Sequence, residues 1–599
     1  MNGPEIEPPQ SAVCLDVTRS VRGKAWHWRC ANPEKIDDLV KRGGVDDITA
    51  RLLAGRGVPP EEVEAFIDPK IRDFLPNPSS LKDMDKAAAA IVSAVKSNKK
   101  VTVFADYDVD GGTSAAQIVR WARHFKAEFG IYVPDRVAEG YGPSAGAFRT
   151  LKEQGNDLII TVDCGAAAYG ALEEAARIEL PVVVIDHHMM DGAHPPALAL
   201  VNPNRNDDSS GLGYLAAAGV CFVLLVALNR EARAQGLGEG PNLLKLLDLA
   251  ALGTICDVVA LKGLNRAIVS QGLKQMSQTQ HVGLLALADV AGVSAPFTTY
   301  HSGFVIGPRI NAGGRIGKAS MGAELLCTEN SQTAYGYAAE LDRVNTERKT
   351  MQAEMIEEAL TKAAALPGER AVTIVFMEGW HPGVIGITAG RLKDRFDKPA
   401  IVIGVNAEGI GKGSGRSIHG VNLGGAITAA REAGLLISGG GHPMAGGLTV
   451  AQAQIAELSL FLEKHMKDEV AAARQHLAVK IDAKITPRAA TPELIENMTR
   501  VGPYGAGHPQ PMLVFETMSI RYAERVRGGH VRCSFADADG QLVSGICFRA
   551  DETGLSDVLL SPNPELVHIA GRLRVDSWKG RMRVDLNVVD LAFASPDTR

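Results

Sequence analysis

Long apolar runs, paired cysteine motifs and an excess of positive charge are all missing from this sequence. The longest apolar stretch, Leu215 to Leu228, is about 14 residues, short of the roughly 20 that a bilayer-spanning helix needs, and is expected as a buried core helix. The 8 cysteines are scattered without a CxxC, which excludes a disulfide framework and a thiolate zinc site and leaves reduced, mostly buried thiols. Lys and Arg number 63 against 69 Asp and Glu, a formal charge of -6. Bulk attraction to nucleic acid is thereby excluded, so any such site must be a local basic groove. The start, Met-Asn-Gly-Pro-Glu-Ile-Glu-Pro-Pro, has neither a basic segment followed by an apolar run nor a small-residue cleavage site, and a cytoplasmic protein without membrane contact is the expectation.

What is present is a globular composition, 46% apolar and 22% charged over 599 residues, enough for about three or four domains. Residues 1–75 read as a polar arm with an aromatic cluster, Trp26-His27-Trp28, and a helical lead-in; no function is legible there. Between 76 and 329, buried Val/Ile runs (Val101 to Phe104, Asp157 to Val162, Leu180 to Ile185) alternate with helical segments such as Ser114 to Phe125. This alternation predicts an α/β domain with a doubly wound parallel sheet. A polar helical pattern from Gln332 to Ala365 suits a connecting helix over 330–366. A second, smaller α/β segment occupies 367–470, with strands at Val372 to Phe376 and Ala400 to Ile403 and Gly-rich loops at Gly409 to Gly415 and Gly439 to Gly441. Residues 471–599 show short alternating strands separated by turn signals, which predicts a small β-barrel.

Three of the apolar strands run into carboxylates: Asp106-Tyr107-Asp108-Val109-Asp110-Gly111, Asp163-Cys164-Gly165 and Asp186-His187-His188. In an open parallel sheet the carboxyl ends of the strands face one crevice, so these groups converge. Crowded carboxylates repel one another unless a cation neutralises them, and oxygen ligands with imidazole suit Mn²⁺ or Mg²⁺. A carboxylate between two such ions gives the clamp used for attack on phosphorus. A calcium loop is the competing reading of DxDxDG, but its twelfth position is Gln117 rather than Glu. Asp257, in Gly253-Thr254-Ile255-Cys256-Asp257-Val258-Val259, adds one more carboxylate.

On these motifs the sequence resembles the DHH phosphoesterases and, within them, the RecJ single-strand-specific exonucleases, over roughly 80–599. The resemblance also covers Gly307-Pro308-Arg309-Ile310-Asn311-Ala312-Gly313-Gly314-Arg315, Trp380-His381-Pro382-Gly383, Gly413-Ser414-Gly415-Arg416-Ser417, Gly440-Gly441-His442-Pro443 and Gly502-Pro503-Tyr504-Gly505. It implies a DHH domain, a DHH-associated domain and an OB-type barrel. The implied activity is 5′-to-3′ hydrolysis of single-stranded DNA to 5′-mononucleotides in recombination and repair, with Mn²⁺ or Mg²⁺. By the family pattern Asp108, Asp110, Asp163, His187 and Asp257 hold two metals, Asp163 bridges them, Asp106 ligates or supports, and His188 sits beside the scissile phosphate. Gly112, Met189-Met190, Ala260 and His508 depart from the common pattern, and none of them removes an implied ligand.

A Ser or Cys nucleophile is the rival chemistry, and no Gly-x-Ser-x-Gly elbow accompanies the cluster. Polarity requires a reader of the chain end. Gly-rich loops carrying Arg suit a terminal phosphate, and Ser414 and Arg416 are the expected readers, with Arg309 and Arg315 second. His381 and His442 are further strand contacts. In the barrel, Arg521, Arg525, Arg527 and Arg532, then Arg572, Arg574, Lys579, Arg581 and Arg583 around Trp578, pair phosphate contacts with stacking. The expected partners are single-stranded DNA, a single-strand-binding protein and a DNA helicase. Two other readings are a phosphodiesterase of short oligonucleotides or cyclic dinucleotides, against which the barrel argues, and a non-catalytic replication scaffold, against which the intact carboxylates argue.

Overall fold

The apolar runs become the inner strands of a five-stranded, wholly parallel sheet. In this computed structural model β1 is Val101–Ala105, α1 Val109–His124, β2 Gly130–Tyr132, β3 Leu158–Val162, α2 Tyr169–Arg177, β4 Val182–Ile185 and β5 Ala199–Val201, in sheet order β2-β1-β3-β4-β5. Every residue of β1, β3, β4 and β5 is buried, as a sheet covered on both faces requires. The register aligns the strand ends: Ala105 pairs with Val162, Val162 with Ile185, and Ile185 with Val201. The Leu215 to Leu228 stretch enters α3 (Ala217–Ala234), which is buried without interruption from Ala217 to Leu225. Helix α4 is Leu247–Cys256, α5 Gly307–Ile316 and α6 the long Ser331–Ala364.

The described residues are 12–135, 139–140, 142–190, 192–578 and 581–594, with 576–578, 581 and 582 described for their backbone only. They fall into two compact units: a first of 68–351 with 503–509, and a second of 1–67, 352–502 and 510–599. Among them no helix is long and apolar enough to cross a membrane.

In the second unit a mixed sheet is built from β6 (Thr373–Glu378), β7 (Ala400–Val405), β8 (Ile410–Arg416), β9 (Ser438–His442) and β10 (Ala445–Ala451), ordered β9-β10-β8-β7-β6. Helix α7 (Pro382–Phe396) joins β6 to β7, the one parallel pair. The glycine-rich segments expected as loops are strands, and the reason is period-two packing. A Cβ on Gly411, Gly413 or Gly415 would lie 2.7, 2.6 and 2.7 Å from Ile403, Leu448 and Leu423, so only glycine lets this face of β8 close on its neighbours.

The C-terminal strands are β11 (Leu513–Val526), β12 (His530–Ala536), β13 (Leu542–Cys547), β14 (Val567–Trp578) and β15 (Arg581–Phe593). Pairing β11-β12-β13-β15-β14 and back to β11 closes them into a five-stranded barrel, which removes exposed edges. The N-terminal arm belongs to the same unit. Its strand Ala25–Trp28 pairs in parallel with Ala478–Ile481, and Trp26, fully buried, donates its indole N–H to Asp590 at 3.1 Å.

Candidate metal centre

The ladder of the parallel sheet does not stop at the last apolar residue. The amides of Asp106, Asp163 and Asp186 donate to Val162, Ile185 and Val201 at 3.3, 3.0 and 3.0 Å. Three carboxylates are thereby held side by side at one edge. Asp163 sits at φ 59°, an uncommon conformation for a non-glycine residue and a feature of functional sites. At Gly165, φ 110°, a Cβ would lie 2.7 Å from the Thr161 hydroxyl.

Helix α1 begins inside the acidic motif, five residues earlier than the periodicity suggests, because Asp108 is its cap: one carboxylate oxygen accepts from the Asp110 and Gly111 amides at 2.9 and 3.1 Å. Asp110, in the first turn, accepts from Ala217 and Ala218 at the start of α3 at 2.7 and 2.8 Å. A Cβ at Gly111 would lie 2.5 Å from the Asp106 carbonyl oxygen, and one at Gly253 would lie 2.8 Å from the Asp110 carboxylate. The glycine four residues before Asp257 therefore lets α4 approach closely and deliver Asp257 from its C-terminus.

His187 occupies the middle. Its Nδ1 donates to the Leu215 carbonyl at 3.1 Å, so Nε2 presents a lone pair. That atom lies 3.3 Å from Asp163, 3.7 Å from Asp257 and 3.9 Å from Asp110. Nε2 of His187 and Oδ2 of Asp257 are both buried without a hydrogen-bond partner. Burial, with the charge on His188 beside it, pushes His187 down to about 4, so it is neutral. The imidazole lone pair and the carboxylate oxygens therefore converge on one point, a donor set that suits a divalent cation displacing any protons the carboxyls carry. Burial together with the neighbouring carboxylates raises Asp110 and Asp163 well above the usual range, and burial with Asp108 raises Asp257 to about 7.

Three sets of ligand atoms lie mutually within 4.8 Å: Asp163, His187 and His188; Asp110, His187 and Asp257; Asp106, Asp108 and Asp163. All six residues expected as ligands are brought together, with Asp163 shared between two sets.

His188 is set apart by Asp186. Burial disfavours charge on both, but their 2.7 Å hydrogen bond, their mutual attraction and the amides on Asp186 together outweigh it, holding Asp186 near 2 and lifting His188 to about 9. Asp186 also accepts from the amides of Ala166, His187 and His188. Sequence reasoning assigned Asp186 no role beyond its place at a strand end. It also missed Asn202 and Asn204, whose side-chain amides donate to the His188 and His187 carbonyls at 2.8 and 2.5 Å. The Asn202-Pro203-Asn204 turn after β5 was the available signal.

The Arg309–Arg315 segment is helix α5, not a loop. Asn311 accepts from the Val109 amide at 3.1 Å, and a Cβ on Gly314 would lie 2.6 Å from the Tyr107 ring. The motif therefore supports the acidic loop. Arg309 pairs with Asp342 at 2.9 Å and donates to the Val305 carbonyl; Arg315 lies in the last turn of α5.

In the second unit Ser414 and Arg416 lie on β8, with the Arg416 guanidinium donating to Ser414 at 3.1 Å. Since β8 is paired on both sides, its backbone amides serve the ladder, and a phosphate would be met by side chains alone. Gly386 of α7 lies against both; a Cβ there would be 3.0 Å from Ser414 and 3.1 Å from Arg416. His381 caps α7, accepting from Gly383 at 3.0 Å. His442 pairs with Ala445, which in turn pairs with Arg416, so Arg416 and His442 share one end of the sheet, whereas His381 follows Glu378 at the other end, level with Val405 and Gly411. Trp380 is buried and donates to Glu358 at 2.8 Å. In the barrel Arg525, Arg574 and Arg583 each sit beside a carboxylate, Asp551 or Asp585. The Trp578 side chain and Lys579 lie outside the described residues.

A parallel sheet whose aligned strand ends carry Asp106, Asp163 and Asp186-His187-His188 defines a metal-binding phosphoesterase site of the DHH class. The DHH family N-terminal domain model matches residues 100–254, the DHHA1 domain 369–468 and the RecJ OB domain 481–590. The chain is 33% identical over 575 residues to the single-stranded-DNA-specific exonuclease RecJ of Bacillus subtilis, covering 95% of this chain and 71% of that protein. To the Escherichia coli RecJ it is 32% identical over 553 residues, covering 90% and 94%. The crystal structure of Thermus thermophilus RecJ with Mn²⁺ superposes with a TM-score of 0.77 at 28% identity, over 94% of this chain and 78% of that one. Its Mg²⁺ complex gives 0.72 at 27% identity, over 94% and 77%. The chain belongs to the RecJ family.

Proposed function

We propose that the protein is a 5′-to-3′ exonuclease that hydrolyses single-stranded DNA to 5′-mononucleotides in recombination and repair, using two Mn²⁺ or Mg²⁺ ions. The observation that carries the reading is the overlap of three ligand sets on Asp163 and His187 at the carboxyl edge of the sheet, in a chain that also holds an OB-type barrel. Asp106, Asp108, Asp110, Asp163, His187 and Asp257 would hold the ions. Bound there, divalent ions supply an activated water and neutralise charge developing on the phosphoryl and leaving oxygens.

The protein's own groups do the rest. Asp110 is fixed by two amides of α3 and Asp108 by two amides of α1, so the oxygens facing the centre are preorganised. His188, protonated and 41% exposed along its side chain, is oriented by Asp186 through Nδ1, leaving Nε2–H to donate to a non-bridging phosphoryl oxygen or to the departing 3′-oxygen. No protein nucleophile is required: Cys164 has its thiol pushed far up by burial and by Asp106 and is a poor thiolate. Ser414 and Arg416, supported by His381 and His442, read the 5′-phosphate, while Arg309 and Arg315 support strand and loop. The barrel, with Trp578, holds the strand. The working division is an arm (1–75), DHH domain (76–329), connecting helix (330–366), DHH-associated domain (367–470) and OB-type domain (471–599). A cytoplasmic location, and a helicase and single-strand-binding protein as suppliers of substrate, complete the proposal.

The test uses long single strands labelled at the 5′ or 3′ end, with Mn²⁺, Mg²⁺ or EDTA, beside Asp163→Ala. Immediate mononucleotide release from the 5′ label, lost with EDTA and in the variant, is expected. Hydrolysis of dinucleotides alone, or binding without hydrolysis, would overturn the reading. Arg416→Ala should lose the preference for 5′-phosphorylated ends, and retention of that preference would remove Arg416 from its role.

A further inference from the structure

The second unit contains a polar cavity of about 580 Å³ walled by the N-terminal arm, the C-terminal end of α7 and the barrel. That volume lies within the roughly 300–1,000 Å³ range of small-ligand sites. It shares no residue with the metal centre or with the Ser414–Arg416 site.

Its charge is unbalanced. Each of its three carboxylates already has a basic partner: Glu552 with Arg391, Asp397 with Lys24 at 3.1 Å, and Asp394 with Lys393 at 2.6 Å. Four further arginines line the cavity, Arg22, Arg395, Arg549 and Arg572, and among the described residues none of them has a carboxylate within salt-bridge reach. Arg22 donates only to the Val589 carbonyl, at 3.3 Å, and Arg395 lies over the Phe396 ring at 5.6 Å. The Nε of Arg572 is buried without a hydrogen-bond partner. Four guanidinium groups gathered from the arm, α7 and the barrel repel one another unless an anion joins them, and their planar forks match phosphate oxygens.

The walls are fixed rather than incidental. The Lys24–Asp397 pair ties the arm to the end of α7, the Arg391–Glu552 pair ties α7 to the barrel, and the Val21 amide donates to Leu591. Arg549 is held at φ 54° while its amide donates to the His530 ring at 2.9 Å, a strained conformation of the kind found at functional positions. Next to it Phe548, 39% exposed, lies beneath the Arg574 guanidinium at 5.6 Å and edge-on to His530. An exposed ring next to Arg549, which has no carboxylate within salt-bridge reach among the described residues, is the composition of a nucleotide platform.

We propose that this cavity binds a nucleotide phosphate, with the attached base stacked on Phe548. The phosphate is either one along a bound single strand or that of a free mononucleotide. The choice of a nucleotide over other phosphates rests on the nucleic-acid reading above, whereas the test concerns binding alone and is independent of hydrolysis.

The experiment uses the full chain carrying Arg416→Ala, in EDTA, with and without the pair Arg395→Gln and Arg549→Asn. Both of these residues are exposed, and Asn tolerates the left-handed backbone at 549. Calorimetric titrations with dTMP and with a 5′-hydroxyl oligothymidylate at several salt concentrations separate the two sources. A loss of dTMP affinity of about tenfold or more with an unchanged oligonucleotide salt slope assigns the site to free nucleotide. An oligonucleotide slope reduced by about 1.4, for two contacts at about 0.7 each, assigns it to the strand. In the chain without these two changes, dTMP or oligonucleotide, but not thymidine, should protect Arg395 and Arg549 from phenylglyoxal, read by mass spectrometry. Unchanged affinities and slopes, or absence of protection, would overturn the proposal.

Discussion

Neutralising one carboxylate of the metal centre should make the metal-free protein more stable while removing its activity. Asp257 is the residue to change: its side chain is 23% exposed, its Oδ2 has no hydrogen-bond partner, and burial with the nearby Asp108 raises its pKa from 3.8 to about 7. At 1.36 kcal/mol per pH unit this corresponds to about 4 kcal/mol against the ionised form, an upper bound because water and side chains relax. The folded state therefore holds the proton more tightly than the unfolded chain. The penalty is absent below about pH 3.8, grows from there to about 7, and is complete at pH 8. Asp257→Asn keeps the shape and removes the charge. About 2–4 °C accompanies each kcal/mol in domains of 150–250 residues, and the low end applies to this larger unit, so in EDTA at pH 8 the first transition should rise by up to about 8 °C, and the gain should shrink steadily toward pH 4. With Mn²⁺ the order reverses, since the unmodified protein gains from binding and the variant gains less. Differential scanning calorimetry of both proteins in EDTA and in Mn²⁺ decides the matter. A variant that melts at or below the unmodified protein in EDTA at pH 8, or a gain that persists at pH 4, would refute the penalty that burial and Asp108 place on the ionised Asp257.

His188→Ala should retain the Mn²⁺-dependent rise in melting temperature yet lose about 10²–10⁴-fold in turnover, the range for a lost acid–base group; unchanged turnover would remove His188 from the chemistry. Gly111→Ala places a Cβ 2.5 Å from the Asp106 carbonyl oxygen and should destabilise by about 1–3 kcal/mol and weaken Mn²⁺ binding, measured by titration; ordinary affinity would show that the acidic loop relaxes freely. Because Asp110, Asp163 and Asp257 all hold protons above the usual carboxylate range, Mn²⁺ binding releases protons. The Mn²⁺-induced rise in melting temperature should be larger at pH 8 than at pH 6, and the opposite trend would show that these groups are already ionised without metal.

Much of the catalytic sheet was legible because its signals are local and periodic. Runs such as Val182 to Ile185 are buried on both faces, so hydrophobicity alone marks them, and the carboxylates at their ends inherit their position from the ladder. The buried helix α3 and the long α6 were readable for the same reason. Glycine misled at 411, 413 and 415. Those residues sit in a central strand because the opposing Ile403, Leu448 and Leu423 fill the space a Cβ would take, a constraint set by partners distant in sequence. The start of α1 was placed late because Asp108 acts both as helix cap and as a member of the acidic set, and only the first of these roles fixes a boundary.

The arm shows the same limit from the other side. Nothing local in Trp26-His27-Trp28 announces a partner, since the strand pairs with Ala478–Ile481 and the indole of Trp26 meets Asp590, contacts that exist only after the chain has closed on itself over hundreds of residues. The carboxylate of Asp590, raised by burial, is retained there as the acceptor of that N–H, because a buried Trp needs one. An arm so anchored carries Arg22 to the cavity beside Arg549 and Arg572. A segment without readable chemistry thereby contributes a guanidinium to a cavity that local sequence does not announce.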